Sequence, residues 1–410
     1  PEAPRRALAV FVLAWALIAA RRFRFLPIGR PTGALLGAVL MVLLGVLAPK
    51  EAYAAVDGDT IALLFGMMVL QVEFDRSGLL DALASRVAAR AGSAARLLSA
   101  VVVASGLLSA LLVNDAVCLM AAPLVARMCT RAALPPLPYL LALATGSNVG
   151  GVMTLTGTPQ CMIVGSLSGM SWTRYASVMA PTGLVLLLLS AAFFHVAFRR
   201  ALPKGPIPAV PSVTPLDPAR ARRFGWTVAA VLAGFVAGLP IAWVALAGAC
   251  LTALLRFGEP KENLARLDWP LLLFFASLFV VIGGVAKAGW VDLAADRLSA
   301  WLTEDPSSRP WPFAAFSVAA SNVLSNVPFV LVVGQGYPGA PDAFWYQLAL
   351  TSTLAGNLTL VGSVANLIVA EAAAREGVEV GFLDYLKVGV PLTLLTTAAG
   401  LVVLALFGYA

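Results

Sequence analysis

The sequence predicts an all-α polytopic membrane protein of two inverted-topology repeats, with about ten transmembrane helices plus two re-entrant hairpins. Three observations predict it. Of 410 residues, 60% are hydrophobic and only 12% charged, about half the charge of a soluble domain. A chain of this length cannot enclose so much apolar surface, so the excess must face lipid. Basic residues fall in short clusters between apolar runs, as positive-inside topology produces. The two halves of the chain also repeat one another's motifs in the same order.

A spanning helix needs about 20 apolar residues. The candidate spans are 7–20, 32–48, 60–73, 97–130, 175–198, 225–238, 241–255, 270–286, 311–333 and 388–408. The run 97–130 is too long for one straight crossing and contains Asn114-Asp115, which predicts two half-helices with a break. Segments 138–170 and 346–375 are apolar but interrupted by Gly, Pro, Asn and Thr, and are expected to be the re-entrant hairpins. The first run is short enough to pass for a signal peptide. The Arg21-Arg22-Phe23-Arg24 cluster that follows it reads better as a cytoplasmic stop.

With residues 21–30 in the cytoplasm, 19 Lys and Arg fall on that side. Nine fall outside: Arg5, Arg6, Lys50, Arg127, Arg131, Arg174, Lys287, Arg297 and Arg309. This places both termini outside the cell inner (plasma) membrane. Residues 1–200 form the first repeat, 201–224 a cytoplasmic linker around the Pro-rich Leu202–Pro218, and 225–410 the second repeat.

The internal matches are specific. Gly78-Leu-Leu-Asp81 with Arg86 matches Gly289-Trp-Val-Asp292 with Arg297, on amphipathic segments. Ser109-x4-Asn114 matches Ser321-x4-Asn326, and Thr154-Leu-Thr-Gly157-Thr158 matches Thr359-Leu-Val-Gly362-Ser363. Tyr175 and Pro181 match Tyr385 and Pro391. Each half holds an odd number of spans, so the repeats lie upside down relative to each other, the pattern of secondary transporters.

Four polar patches fall at membrane depth, where unpaired polar groups are costly unless they line a cavity. The candidate substrate- and ion-binding residues are Asn114 and Asp115; Ser147, Asn148, Thr154, Thr156, Gly157, Thr158 and Cys161; Ser321, Asn322, Ser325 and Asn326; and Asn357, Thr359, Gly362, Ser363 and Asn366. Their amides and hydroxyls both donate and accept hydrogen bonds. Helix ends at the breaks add free N–H or C=O groups. The plainer reading is that Ser and Thr bond their own helix backbone and small residues aid packing.

Asp115 is the acidic residue within these patches, and an intramembrane carboxylate is a coupling candidate for H+ or Na+. The alternative is that it caps a half-helix beginning at Ala116. Cys118 and Cys161 could hold a soft ion or be small buried residues. His195 reads as interfacial, Glu371 as facing water, and Asp81 and Asp292 as partners of nearby arginines.

Several classes are excluded. The net charge of +7 is accounted for by topology, so nucleic acid is not a partner. Cys118, Cys129, Cys161 and Cys250 form no C-x-x-C pair, so neither a metal site nor a disulfide framework is indicated. One His and no nucleophile–base pair argue against an enzyme, and no cofactor is expected. No phosphate-binding loop occurs, so concentrative work requires an ion gradient or a partner ATPase.

The run Gly146-Ser-Asn-Val-Gly-Gly-Val-Met-Thr-Leu-Thr-Gly-Thr-Pro-Gln-Cys-Met-Ile-Val-Gly-Ser-Leu-Ser-Gly169 resembles the first hairpin of the ion transporter superfamily. The arsenite-efflux permeases, plant silicon-efflux transporters and bacterial anion permeases are the nearest look-alikes. Ser321-Asn-Val-Leu-Ser-Asn-Val-Pro328 and Ala355-Gly-Asn-Leu-Thr-Leu-Val-Gly-Ser-Val-Ala-Asn366 look like the matching second-half motifs. Relatives usually read Gly-Asn-Pro-x-Asn where this chain has Gly157-Thr-Pro-Gln-Cys161, whereas Asn366 is kept. The resemblance implies an alternating-access carrier, often a homodimer, with scaffold helices and a mobile transport unit.

Together these readings predict a secondary active transporter that exports a small inorganic oxyacid, arsenite- or silicate-like, by proton-coupled alternating access. Hydroxyl-rich As(OH)3 and Si(OH)4 suit a site of Asn, Ser and Thr without Lys or Arg. The alternatives are a sodium–proton antiporter and a sodium-coupled carboxylate or sulfate importer of the same superfamily.

Overall fold

The computed structural model describes residues 2–19, 30–205, 216–255, 260–301 and 305–409. The Arg21–Arg24 cluster, Arg256 and residues 206–215 of the linker lie outside them. Among the described residues every regular element is helical. The first half contains α1 (Glu2–Ala19), α2 (Arg30–Leu43), α3 (Pro49–Ala54), α4 (Gly58–Arg76), α5 (Leu79–Ala91), α6 (Ala94–Leu111), α7 (Asn114–Arg131), α8 (Pro136–Gly151), α9 (Pro159–Ser168) and α10 (Trp172–Phe198). The second contains α11 (Pro218–Val236), α12 (Ile241–Leu254), α13 (Pro260–Ala265), α14 (Trp269–Lys287), α15 (Trp290–Trp301), α16 (Pro310–Leu324), α17 (Asn326–Gly336), α18 (Asp342–Ala355), α19 (Val364–Arg375) and α20 (Phe382–Leu406).

The matched motifs shape matched elements. Asp57 caps α4 by accepting from the Asp59 and Thr60 N–H groups, and Asp268 caps α14 by accepting from Leu271 N–H. Gly78 and Gly289, at φ 71° and 79°, turn the chain into the amphipathic α5 and α15. Packing partners correspond as well. Helix α4 lies on α12 as α14 lies on α2, and α9 lies on α17 and α18 as α19 lies on α7 and α8.

Chain direction corrects the expected hairpins. Tyr139 donates to Ala94 O at 2.8 Å, and Gly150 abuts Gly106 so closely that a Cβ would stand 2.1 Å from Gly106 O. Helices α6 and α8 are therefore parallel. Helix α7 is antiparallel to α8, since Asn114 meets Asn148 and Cys118 meets Ser147 near its start. Thus α6 and α7 form the hairpin, with its tip at Leu112-Val113, and both outer ends return to one end of the bundle. Segment 138–170 is instead a broken span. Helix α8 starts beside Ala94, and α9 ends beside Asp59, at the opposite end of α4.

The second half makes the same correction. Phe313 stacks on Phe344 and Asn322 donates to Ala355 O, so α16 and α18 are parallel. The α16–α17 pair turns back at Ser325, dividing the expected single span 311–333. Segment 346–375 is a broken span, running from Gln347, which donates to Tyr409 O near the end of α20, to the turn that leads into α20. The two hairpins enter from opposite ends, and corresponding elements of the halves run in opposite directions.

Helices α6, α10, α14 and α20 are long and apolar enough to cross a membrane on their own, and α3 with α4 makes a fifth if their 52° bend lies within one span. Length alone would read α6 as a crossing; its packing makes it a hairpin arm. Helix α7 begins at Asn114 after the N-cap Val113, so Asp115 is its second residue and does not cap a helix beginning at Ala116. Asp81 and Asp292 make no ion pair among the described residues, contrary to expectation. Helix α11 starts at Pro218, inside the expected linker.

Candidate functional site

The two hairpin tips and the two span breaks, residues 152–158 and 356–363, meet in the middle of the bundle. Thr158 and Ser363 restart α9 and α19, accepting from the Cys161 and Ala365 N–H groups respectively. Asn114 N–H donates to Gly157 O at 3.0 Å, tying the first tip to the first break. Asn322 donates to Ala355 O at 2.8 Å and accepts from Thr359 Oγ1, tying the second tip to the second break.

Asn148 joins the halves. Its Oδ1 accepts from Asn114 Nδ2 at 2.8 Å and from Ser363 Oγ at 3.2 Å. Its Nδ2 donates to Asn357 Oδ1 at 2.9 Å and to Asn366 Oδ1 at 3.1 Å. A side-chain amide has two N–H donors and two acceptor positions, so its capacity is filled. By the spacing of the repeats, the Asn148–Asn366 contact corresponds to Thr353 with Cys161, whose oxygen and sulfur lie 3.7 Å apart. The position where the chain departs from the family pattern is therefore a weaker copy of the same junction.

A cavity of about 210 Å³ opens beside this cluster. Of the sequence-predicted residues, Asn114, Asp115, Ser325, Asn326, Gly362 and Ser363 line it. The others support the breaks. Thr154 donates to Ala110 O at 2.7 Å and contacts Thr156, and Ser321 donates to Asn326 Oδ1. Ser147 donates to Ala144 O and touches Cys118, a buried packing residue, while Cys161 accepts from Tyr175 OH.

Four helix N-termini reach the cavity. Asn114, Pro159, Asn326 and Val364, the first residues of α7, α9, α17 and α19, all line it. The positive ends of their helix dipoles converge on it. Asp115, only 8% exposed, and Asp268 bring two carboxyl groups to its wall, and no Lys or Arg lines the cavity among the described residues. Ser325 stands at φ 73°, ψ 151°, a region almost confined to glycine.

Sequence reasoning missed two polar lining residues. Gln160 is buried, with Nε2 donating to Thr353 Oγ1 across the halves at 3.2 Å. Its signal was its place inside the departing Gly157–Cys161 motif. Asp268 reaches the cavity from the scaffold side; its signal was the equal spacing of Asp57 and Asp268 before the matched glycines Gly78 and Gly289.

Comparison with known proteins agrees with this architecture. A family model described as CitMHS, citrate transporter, matches residues 12–355. The chain is 28% identical over 462 residues to the silicon efflux transporter LSI3 of Oryza sativa subsp. japonica, covering 95% of each. It is 30% identical over 434 residues to an uncharacterized transporter of Mycobacterium tuberculosis, covering 98% of this chain and 97% of that one. The fold is similar to the crystal structure of the Alcanivorax borkumensis YdaH transporter, with a TM-score of 0.58 over 100% of this chain and 99% of that one at 16% identity. A helical bundle with paired breaks and a family model across most of its length identify the chain as a multi-pass membrane transporter that belongs to the citrate transporter family, within the ion transporter superfamily.

Proposed function

We propose that the protein exports a small neutral oxyacid of the silicic or arsenous acid class in exchange for protons, with Asp115 as the exchanging carboxylate. One observation carries this reading: four helix N-termini and two carboxylates, with no Lys or Arg among the described residues, line one small cavity. An ionised Asp115 offsets the field of the N-termini, leaving a site suited to an uncharged solute rich in hydroxyls. Solute O–H groups donate to that carboxylate. A proton on Asp115 removes its charge and turns one accepting oxygen into an O–H donor, so proton and solute compete for one group. Such competition, with access alternating between the two sides, makes an inward proton gradient drive solute outward.

Positive-inside placement puts the cavity mouth at Asp268 on the cytoplasmic side of the plasma membrane, with both termini outside. Moving Arg127 and Arg131 to the cytoplasmic side, as the corrected hairpin requires, changes the charge split from 19 against 9 to 21 against 7. The opposed repeats support alternating access around this site.

A second reading has a specific basis. With Asp115 protonated, the same N-termini favour an anion such as sulfate or citrate, the second being the solute in the family description. Proton and anion would then bind together. Thermal stabilisation of purified protein by silicic acid, citrate, sulfate and sodium, at several pH values, separates the readings. The exporter reading expects silicic acid to stabilise more as pH rises. Stabilisation by sulfate or citrate that grows as pH falls, with none by silicic acid, would replace it with the second.

A further inference from the structure

A second cavity, of about 450 Å³, lies at the opposite end of α4 and α9 from the mouth at Asp268. The scaffold positions lining it repeat those of the first. Asp59, Thr60 and Leu63 stand where the matched spacing places Pro270, Leu271 and Phe274, and all six line their respective cavities. Pro240 at the start of α12 likewise answers Pro31 at the start of α2. The two cavities are thus made by equivalent parts of opposed repeats, one at each end of the bundle.

They also share one helix. Gln160 lines the inner cavity and Met162 the outer. Two residues apart on an α-helix, their side chains leave nearly opposite faces, so α9 itself, which packs on α4, stands between the cavities. The outer cavity is polar where the solute would need partners. Asp59 brings a carboxylate, Ser166 and Ser171 bring two hydroxyls, and Thr60 and Trp172 complete the wall.

We infer that this outer cavity is the extracytoplasmic section of the solute path and binds the same class of small, uncharged, hydroxyl-rich oxyacid on its way out. The inference rests on the substrate reading above for its ligand and on the repeat-related geometry for its place. Movement of α9 across the Gln160–Met162 layer passes solute from one cavity to the other. The outer lining lacks the two hairpin tips, so binding there is weaker and release is favoured.

The test uses the full chain in vesicles of known orientation. Cys250, the exposed cysteine, is replaced by Ala, while Cys118, Cys129 and Cys161 are buried. Ser166→Cys and Asp59→Cys are then treated separately with a charged, membrane-impermeant thiol reagent, and silicic acid counterflow is measured before and after on the same vesicles. Reagent applied to the extracytoplasmic face should label both cysteines and abolish counterflow, and silicic acid should slow the labelling. Ser166 and Asp59 are both exposed, so either variant tests the cavity even if the other folds poorly. Complete labelling with counterflow unchanged, or labelling from the cytoplasmic face alone, overturns the inference. If the unsubstituted protein moves no silicic acid, the substrate reading fails on its own, and the sidedness of labelling at Ser166→Cys, which needs no transport, decides whether the cavity opens outward.

Discussion

Arg127 near the end of α7 and Glu376 just beyond α19 form an ion pair, Nη1 to Oε1 at 2.9 Å, across 249 residues of sequence. The contact places the outer end of the first hairpin and the end of the second broken span at the same end of the bundle. It expresses the topology that the charge count approached and misassigned. Both partners are partly exposed, so the pair itself contributes only about 0–1 kcal/mol. Cysteines at Arg131 and Gly377 should be labelled by an impermeant reagent from one face, and a cysteine at Pro310 from the other. Labelling of Arg131→Cys and Gly377→Cys from opposite faces would return 97–130 to a crossing segment.

Glu73 is fully buried in α4 and accepts from Arg220 of α11 at 2.8 Å and from Asn263 of α13. The cluster ties the two halves of the scaffold together. Removing one partner strands a buried charge, so Arg220→Met should cost about 3–5 kcal/mol in thermal unfolding in detergent. Adding Glu73→Leu should recover much of that loss. Equal destabilisation in the single and double variants would show that packing, not charge, is what Arg220 provides.

Asn148 spends its whole hydrogen-bonding capacity on the other half and on the first tip. Asn148→Ala leaves several buried amides and a hydroxyl short of partners, and is expected to lower stability by about 2–4 kcal/mol. Transport should fall with it, because Asn114 and Ser363 line the cavity and lose their anchor. Unchanged counterflow in Asn148→Ala would mean that the tips hold their positions without this junction.

Ser325 separates stability from function. A non-glycine residue at φ 73°, ψ 151° costs about 1–3 kcal/mol, yet its equivalent, Val113, sits in ordinary extended backbone at φ −68°. Ser325→Gly should therefore raise the unfolding temperature while lowering solute transport, since the lining hydroxyl is lost. A variant that is both more stable and fully active would assign Ser325 no part in binding.

Much of the fold was legible because the bilayer punishes polar groups. Asn114, Asn148, Asn357 and Asn366 stood out in apolar runs, and all four meet in one hydrogen-bonded cluster. The difference between a hairpin and a broken span was not legible. Both are apolar runs with a polar interruption, and only side-by-side packing, such as Gly106 on Gly150, fixes which way the chain leaves the break. Glu73 closes the apolar run 60–73, and nothing near it in the sequence marks it as paired, because its partner Arg220 lies more than a hundred residues away. Asp268 was hidden for the opposite reason: it is an exposed helix cap in sequence and a cavity wall only once the scaffold is assembled.

The proposed exchange at Asp115 is tested most directly by silicic acid flux in proteoliposomes under an imposed pH gradient. The account predicts that a gradient acid on the extracytoplasmic side drives silicic acid out through that face. It also predicts that Asp115→Asn, which keeps hydrogen-bonding capacity but cannot exchange a proton, abolishes the response to the gradient. Silicic acid flux through the unsubstituted protein that ignores the pH gradient would contradict it.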